Sequence, residues 1–321
     1  MTNSRPILYI SRLLPDSVMG IVRERFQLVQ NPHDALPAPS ALHNGLCQAD
    51  AAIVTLGDHI DAKTIHAATR LKILANYAVG YNNIDLAAAR EHGLIVTNTP
   101  DVLTDATADL TWALILATTR RVLEGDTLVR SGGWTGWSPT QLLGTEVTGK
   151  TLGIIGMGRI GQAVAQRAVG FRMPVRYHTR QLKAISSLPG KWEYRSLQDI
   201  LAEADVVTIH VPLTPSTHHL ISARELGWMR PTAFIINTAR GPIIDEAALV
   251  DALKTGIIAG AGLDVYEQEP AIHPALTQLK QVALLPHLGS ATLHARVQMG
   301  MVCLENIQAV LDGRPAPNQI H

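Results

Sequence analysis

Short apolar runs and helical patterns alternate along the first hundred residues. The apolar runs predict strands at residues 7–10, 51–55, 72–76 and 94–98. Helical patterns fit between them at 16–25, 61–68 and 84–92, with Asp61 as an N-cap and Gly93 as a C-cap. The segment 32–45 has three prolines and little periodicity, which predicts a surface loop. This alternation predicts a small parallel α/β domain.

A second series of the same kind begins at Thr151. Its predicted strands are 152–155, 175–177, 205–210, 233–237, 259–265 and 282–285, and its helices are 159–170, 197–204, 223–228 and 245–254. Long helical patterns flank the series, at 104–122 before it and at 292–311 after it. His218 and His219 are expected to open an exposed helix. Six strands with helical crossovers predict a doubly wound sheet.

A glycine-rich turn joins the first strand and the first helix of that series. Gly156, Gly158 and Gly161 have G-x-G-x-x-G spacing, with a buried-strand pattern before them and a helical pattern after them. In that setting the glycines allow a tight turn, a close approach of a pyrophosphate and close packing of helix on strand. The phosphates would lie on the N–H groups that begin the helix. The turn predicts a dinucleotide site.

The predicted architecture is therefore α/β, with two doubly wound parallel-sheet domains. Residues 101–287 are predicted to form a Rossmann domain that binds the coenzyme. Residues 1–100 and 288–321 are predicted to form a flavodoxin-like substrate domain, to which the last helical pattern returns.

Composition and charge narrow the class of protein. Hydrophobic residues make up 46% and charged residues 17% of the 321, which is enough to build cores. The 27 basic and 27 acidic side chains leave no net field that would attract nucleic acid or an anionic membrane. The first ten residues contain no signal-peptide core, and no apolar stretch is long enough to span a bilayer. We expect a soluble, cytoplasmic protein, and, because no His/Cys/Asp cluster has metal-ligand spacing, no metal.

The residues after the predicted strand 175–177 indicate which dinucleotide binds. No Asp or Glu occurs from Gln162 to Trp192, where enzymes that use NAD carry an acid for the ribose hydroxyl. Arg180 can instead bind a 2′-phosphate through two hydrogen bonds, and Thr179 can add a hydroxyl. The other basic residues of this stretch include Arg172, Arg176 and Lys183. We expect NADP as the coenzyme, with NADPH preferred to NADH.

Arginine, carboxylate and histidine side chains come at the ends of later strands. Arg240, Glu269 and His287 would all lie at the carboxyl edge of the sheet, where ligands bind in this fold. The arginine can clamp a substrate carboxylate, and the histidine can protonate the neighbouring carbonyl oxygen as hydride arrives. A carboxylate beside the histidine would favour its protonated form. His210 and Glu267 are the rival histidine and acid, and His210 is expected to be structural.

The chain resembles the D-2-hydroxyacid dehydrogenase family in the segments GMGRIG, NTARG, GAGLDVYEQEP and PHLGSAT. ANYAVGYNNID and TNTPDVLTDATAD are similar to its glyoxylate and hydroxypyruvate reductase branch, which includes 2-ketogluconate reductases. The resemblance implies that Arg240, Glu269 and His287 are catalytic. It also implies that the backbone around Val79 and Gly80 receives the substrate carboxylate together with Arg240, and that His287 contacts the substrate as well. The positions it implies around the coenzyme are Thr107, Gly156, Gly158, Arg159, Ile160, Gly161, His178, Thr179, Arg180, Thr238, Ala239, Asp264 and Gly289.

The resemblance also implies a homodimer formed through the coenzyme domain. The segment 131–144 contains four glycines, Trp134 and Trp137, and has no clear period. It is predicted to be a loop or an arm that reaches a partner subunit, with folding back onto its own domain as the alternative.

The substrates that fit the predicted site are small 2-oxoacids, namely glyoxylate, hydroxypyruvate and, in a wider cleft, 2-ketogluconate. Phosphite and phosphoglycerate dehydrogenases share the catalytic set, although the loop 76–83 has no basic residue for a substrate phosphate. The alternative outside the enzymes is a regulatory protein that senses a dinucleotide without catalytic activity. The presence of all three catalytic side chains argues against it. Arg240, Glu269 and His287 are less consistent with two other classes of enzyme, a Rossmann methyltransferase and a formate dehydrogenase.

Overall fold

The apolar runs of the first unit form a five-stranded parallel sheet in the computed structural model, which describes residues 5–31, 34–180 and 192–320. This unit extends to Leu103 and resumes at Ala291. The sheet order β2-β1-β3-β4-β5 is that of flavodoxin-like folds, as predicted. Its strands are β1 (Ile7–Ile10), β2 (Gln27–Gln30), β3 (Ala51–Val54), β4 (Ile73–Asn76) and β5 (Ile95–Thr97).

Polar residues set the ends of the helices in this unit. The Asp61 side chain accepts a hydrogen bond from Thr64 N, and Gly93 ends its helix with a left-handed φ of 72°, as expected for these caps. Thr292 caps the last helix in the same way as Asp61. The helices are α1 (Asp16–Arg25), α2 (Pro39–Gln48), α3 (Ala62–Ala67), α4 (Leu86–His92) and α11 (Leu293–Leu311).

Two elements of the first unit differ from the prediction. The segment 32–45 is not a loop throughout, because α2 begins at Pro39, where a proline at the first helical position has no N–H bond to lose. Residues 32 and 33 lie outside the described part. Strand β2 has the sequence QLVQ at the sheet edge, and so short a run with polar ends did not predict a strand.

The second unit, Thr104–Ser290, contains a seven-stranded parallel sheet within its described residues. The order β12-β11-β10-β9-β6-β7-β8 is the doubly wound one, with the order reversing between β6 and β9. The three-residue edge strand β8 is additional to the six predicted strands. The strands are β6 (Leu152–Ile155), β7 (Val175–His178), β8 (Trp192–Tyr194), β9 (Val206–Ile209), β10 (Phe234–Asn237), β11 (Gly260–Leu263) and β12 (Val282–Leu284).

The helical pattern predicted over 104–122 is interrupted. The first of its two helices ends at Thr119, whose carbonyl accepts a hydrogen bond from Thr145 N at 2.7 Å, and Arg121 then adopts a left-handed φ of 54°. Apolar periodicity alone did not reveal this tertiary bond. The helices are α5 (Thr104–Thr119), α6 (Val122–Arg130), α7 (Arg159–Ala168), α8 (Leu197–Glu203), α9 (Ala223–Leu226) and α10 (Glu246–Lys254).

A glycine in β11 lets α5 lie close against the sheet of the second unit. A Cβ atom at Gly262 would lie 2.8 Å from Ile236 Cδ1 and 2.9 Å from Thr118 Oγ1, so that a larger residue would push the helix away. The strands β6, β9 and β10 are buried along their whole length. Across the described residues of both units, we find no helix with the length and hydropathy required to traverse a bilayer.

Candidate active site

The glycine turn after β6 has the geometry that a dinucleotide requires. Gly156 has a φ of 101°, which favours glycine, and a Cβ at Gly161 would lie 2.1 Å from Gly156 O. A Cβ at Gly158, by contrast, would meet nothing within 4 Å, and this residue is exposed at the N-cap of α7. The first and third glycines are thus needed by the fold, while the second leaves open space beside the helix N-terminus. The turn fits a bound pyrophosphate.

Strand β7 ends beside this turn and leads to the residues predicted to read the ribose. His178 and Thr179 are half-buried and Arg180 is exposed. No carboxylate of a described residue pairs with Arg180, whereas Arg176 is engaged by Glu193 and Glu203. Lys183 lies outside the described residues.

Arg240 is placed by a turn that Asn237 organises. The Asn237 side chain donates to Arg240 O at 2.9 Å and accepts from Ala239 N at 3.0 Å, so one amide holds both sides of the turn after β10. Burial lowers the pKa of the Arg240 guanidinium, and the negative charge of Glu269 opposes that effect. An arginine remains charged under such a shift because its ordinary pKa is so high. Sequence reasoning missed Asn237, although a polar residue ending the apolar strand FIIN is a usable signal.

Glu269 and His287 form a hydrogen-bonded pair, with His287 Nδ1 2.8 Å from Glu269 Oε2. An ionised carboxylate can only accept, so Nδ1 carries the hydrogen and Nε2 is left for another partner. Burial alone would raise the pKa of Glu269, but the hydrogen bond and charge of His287, the N–H of Tyr266 and the charge of Arg240 together lower it. The acid beside the histidine is therefore ionised at neutral pH.

Asp264 holds the backbone around His287 in an unusual conformation. His287 has a left-handed φ of 56°, and its N–H donates to Asp264 O at 2.9 Å. The Asp264 carboxylate is fully buried and accepts from Leu288 N at 2.6 Å and from Gly289 N at 2.7 Å. Burial raises the pKa of Asp264, although these two bonds and the charge of His287 act in the opposite direction. The three hydrogen bonds that Asp264 accepts thus offset the cost of the left-handed backbone.

Neither the rival histidine nor the rival acid takes part in the pair formed by Glu269 and His287. Burial lowers the pKa of His210 to about 3, so that its ring stays neutral and cannot serve as an acid at pH 7. Its Nε2 atom is shielded from solvent and has no hydrogen-bond partner among the described residues. Glu267 contacts His219, with Oε1 2.7 Å from Nε2, rather than His287.

The prediction that His218 and His219 open a helix is wrong, and their predicted exposure is confirmed only for His218. They lie in a turn, and the next helix begins only at Ala223. His218 is exposed, but His219 is half-buried against Glu267. The expectation of no metal rested on spacing along the chain, which cannot reveal a grouping with a residue 48 positions away.

The remaining predicted coenzyme residues of the second unit lie in α5, after β10 and at the start of α7. Thr107 is buried and donates to Gly289 O at 3.0 Å, and Thr238 Oγ1 lies 2.9 Å from the hydroxyl of Thr111. Arg159 is exposed and Ile160 half-buried at the start of α7, beside the glycine turn.

The loop after β4 in the first unit contains Val79 and Gly80. Asn98 donates to Val79 O at 2.8 Å, and Asn76 donates to Gly80 O at 2.8 Å. Because the N–H and C=O of a peptide point in opposite directions, fixing these carbonyls also fixes the N–H groups of Gly80 and Tyr81. The loop thus has the oriented backbone that an anion-binding segment requires.

The segment 131–144 exposes two large aromatic side chains. It contains no helix or strand, and Trp134 and Trp137 are 53% and 82% exposed. Neither indole is packed into a core of its own unit, so the alternative in which both fold back fully is not observed.

Known proteins are similar to this chain in sequence. The family model for the "D-isomer specific 2-hydroxyacid dehydrogenase, NAD binding domain" matches residues 112–289. A glyoxylate reductase of Thermococcus gammatolerans is 45% identical over 321 residues, covering 99% of this chain and 96% of the relative. That of Pyrococcus furiosus is 44% identical over 322 residues, with the same coverage.

A solved structure extends the similarity to three dimensions. The NADPH-dependent glyoxylate/hydroxypyruvate reductase of Sinorhizobium meliloti, crystallised with NADP and malonate, has a TM-score of 0.86 and 32% identity, covering 99% of this chain and 97% of its own. Both parallel sheets are those of the predicted fold class. The chain belongs to the D-isomer specific 2-hydroxyacid dehydrogenase family.

Proposed function

We propose that this protein is an NADPH-dependent reductase of small 2-oxoacids, namely glyoxylate, hydroxypyruvate and the larger 2-ketogluconate, which it converts to 2-hydroxy acids of D configuration where the product is chiral. The observation that carries the proposal is the 2.8 Å contact between His287 Nδ1 and Glu269 Oε2. It leaves Nε2 of the imidazole as the proton donor at the carboxyl edge of a sheet with a dinucleotide turn. The reductases from Thermococcus gammatolerans and Sinorhizobium meliloti support the choice of substrates.

Each residue of the proposed site has a separate role in the reduction. When bound, the nicotinamide coenzyme supplies the hydride that the substrate carbonyl carbon accepts. His287 gives the Nε2 proton to the carbonyl oxygen, which becomes the hydroxyl, and Glu269 stabilises the imidazolium before this transfer. Arg240 binds the substrate carboxylate and polarises the carbonyl. Val79 and Gly80 stay our predicted backbone ligands of that carboxylate.

A panel of 2-oxoacids assayed with NADPH and with NADH tests the function. We expect glyoxylate and hydroxypyruvate to be reduced, and 3-phosphohydroxypyruvate to be poor because the loop 76–83 has no basic side chain. An assay for the oxidation of phosphite with NADP⁺ tests the alternative of a phosphite dehydrogenase, which shares the catalytic set. Failure to oxidise either coenzyme with every 2-oxoacid would favour the non-catalytic regulator instead.

Replacing Arg180 tests the coenzyme preference. Arg180→Ala should lower kcat/KM for NADPH by about 10- to 100-fold, since a hydrogen bond to a charged group contributes about 1.5–3 kcal/mol. The value for NADH should change little, because NADH has no 2′-phosphate. The matched control is Arg90→Ala, which removes an exposed arginine of α4. A wild-type preference for NADH, or equal losses with both coenzymes, contradicts the assignment.

Replacing the acid of the catalytic pair should slow reduction. Glu269→Gln keeps the size of the side chain but removes the negative charge that lies beside His287 Nδ1. We expect kcat for glyoxylate to fall by about 10- to 100-fold, since a hydrogen bond to a charged group contributes about 1.5–3 kcal/mol. Glu267→Gln, which changes the neighbouring acid that contacts His219, should keep the wild-type kcat. A wild-type kcat in Glu269→Gln would contradict a role of the pair in catalysis.

A further inference from the structure

We propose that His218, His219 and Glu267 form a binding site for one divalent transition-metal ion of the zinc type. One ligand atom from each of the three residues lies within 4.8 Å of the other two. The cluster belongs to the second unit and shares no residue with the proposed catalytic set. No role in the reduction of 2-oxoacids accounts for it.

The carboxylate of this cluster is held in place by the backbone. Glu267 Oε2 accepts from Glu246 N at 3.2 Å, and the N–H of Glu267 donates to Glu246 Oε2 at 2.9 Å. The other oxygen, Oε1, faces His219 Nε2 at 2.7 Å. Hydrogen bonds that orient a ligand in this way are typical of metal sites, because they fix the donor atom before the ion arrives.

The two imidazoles lie side by side in the turn before α9. His219 has a left-handed φ of 49°, and its N–H donates to Pro242 O at 2.8 Å. The ring centroids of His218 and His219 are 4.1 Å apart with an interplanar angle of 31°. His218 is exposed, and its ring forms no hydrogen bond with a described residue, so it can turn to bring a nitrogen onto the ion.

The donor set selects the class of ion. Two imidazole nitrogens and one carboxylate oxygen are ligands that Zn²⁺ binds in tetrahedral sites, with water in the fourth position. Mg²⁺ and Ca²⁺ prefer oxygen ligands alone, so imidazoles disfavour them. The carboxylates of Glu267 and Glu246 add negative charge near the two neutral donors.

His218 distinguishes a metal site from an ordinary ion pair. His219 and Glu267 can pair without a metal, and that pair does not involve His218. A metal site, in contrast, loses one of its three protein ligands when His218 is removed. Because His218 is exposed, His218→Ala should keep both the fold and the ion pair.

Titration of the metal-free, tag-free protein with Zn²⁺ in a calorimeter tests the proposal. We expect one ion per chain for the wild type. The affinity for Zn²⁺ should fall by about 10- to 100-fold or more in His218→Ala. Substitution of residues that only orient the metal ligands already lowers metal affinity by about that factor. The control is His66→Ala: His66 and His92 also form a contacting ring pair, with centroids 5.7 Å apart, but they are not grouped with a carboxylate.

A second variant and a second measurement complete the test. Glu267→Gln keeps an acceptor for Glu246 N but loses the charge, and it should also bind Zn²⁺ more weakly. Zn²⁺ should raise the melting temperature of the wild type and of His66→Ala but not of His218→Ala, because only a native state that binds the ion is stabilised. Absence of stoichiometric Zn²⁺ binding by the wild type overturns the proposal, as does unchanged affinity in His218→Ala or in Glu267→Gln.

Discussion

Replacing His287 by alanine should lower kcat for glyoxylate reduction by about 100- to 10,000-fold, the range that a positioned general acid contributes. The imidazole held by Glu269 is the proton donor in our mechanism, and alanine leaves only water for that role. The coenzyme turn lies after β6, on a different strand from the β12 loop that carries His287. The dissociation constant for NADPH should therefore change little. Stopped-flow turnover and a coenzyme titration measure the two quantities separately.

The control for this variant is His294→Ala, which removes an exposed histidine of α11 and should retain wild-type kcat. Melting curves of both variants guard against a loss caused by unfolding. If His287→Ala lost coenzyme binding to the same extent as kcat, its role would be structural. A kcat near that of the wild type would remove His287 from the mechanism.

The conservative variant Arg240→Lys should lower kcat/KM for glyoxylate by about 100-fold or more. Lysine keeps the positive charge but cannot form two parallel hydrogen bonds with a carboxylate, and each such bond to a charged group contributes about 1.5–3 kcal/mol. Burial, which already lowers the pKa of Arg240, would also favour the neutral form of a lysine there. Both effects weaken the binding and the polarisation of the substrate.

Steady-state kinetics with glyoxylate, together with the dissociation constant for NADPH, checks this expectation. Arg230→Lys is the matched control, because Arg230 is an exposed arginine of the same unit that pairs with Asp205. Equal losses of substrate turnover and coenzyme affinity in Arg240→Lys would indicate a general disturbance. Unchanged kcat/KM would show that Arg240 does not bind the carboxylate.

Much of the site could be predicted because its residues follow strands with clear apolar patterns. Arg240, Glu269 and His287 follow β10, β11 and β12, which are neighbours in the sheet. Carboxyl ends of parallel strands meet at one edge, so the strand prediction alone placed all three there. What the pattern did not decide was which acid meets the histidine, because Glu267 and Glu269 are two residues apart. Only the path of the loop directs Glu269 to His287 and Glu267 to His219.

The elements that sequence reasoning missed are those without a strong local signal. Strands β2 and β8 lie at sheet edges and are four and three residues long, so they need no sustained apolar run. The break after Thr119 depends on a hydrogen bond from Thr145, which periodicity within a helix does not encode. Local patterns report burial, whereas these features depend on partners distant in the chain.

The sequence by itself determined the two α/β sheets, the dinucleotide turn and the type of side chain at each strand end. These follow from local periodicity, glycine spacing and residue chemistry, which act within a few residues. The tertiary structure alone decided the left-handed backbone of His287, the three hydrogen bonds that Asp264 accepts from the N–H groups of residues 287–289, the turn held by Asn237, and the cluster of His218, His219 and Glu267. The physical reason is that each of these features consists of contacts between separate loops, and their geometry exists only once the strands have paired and brought those loops together.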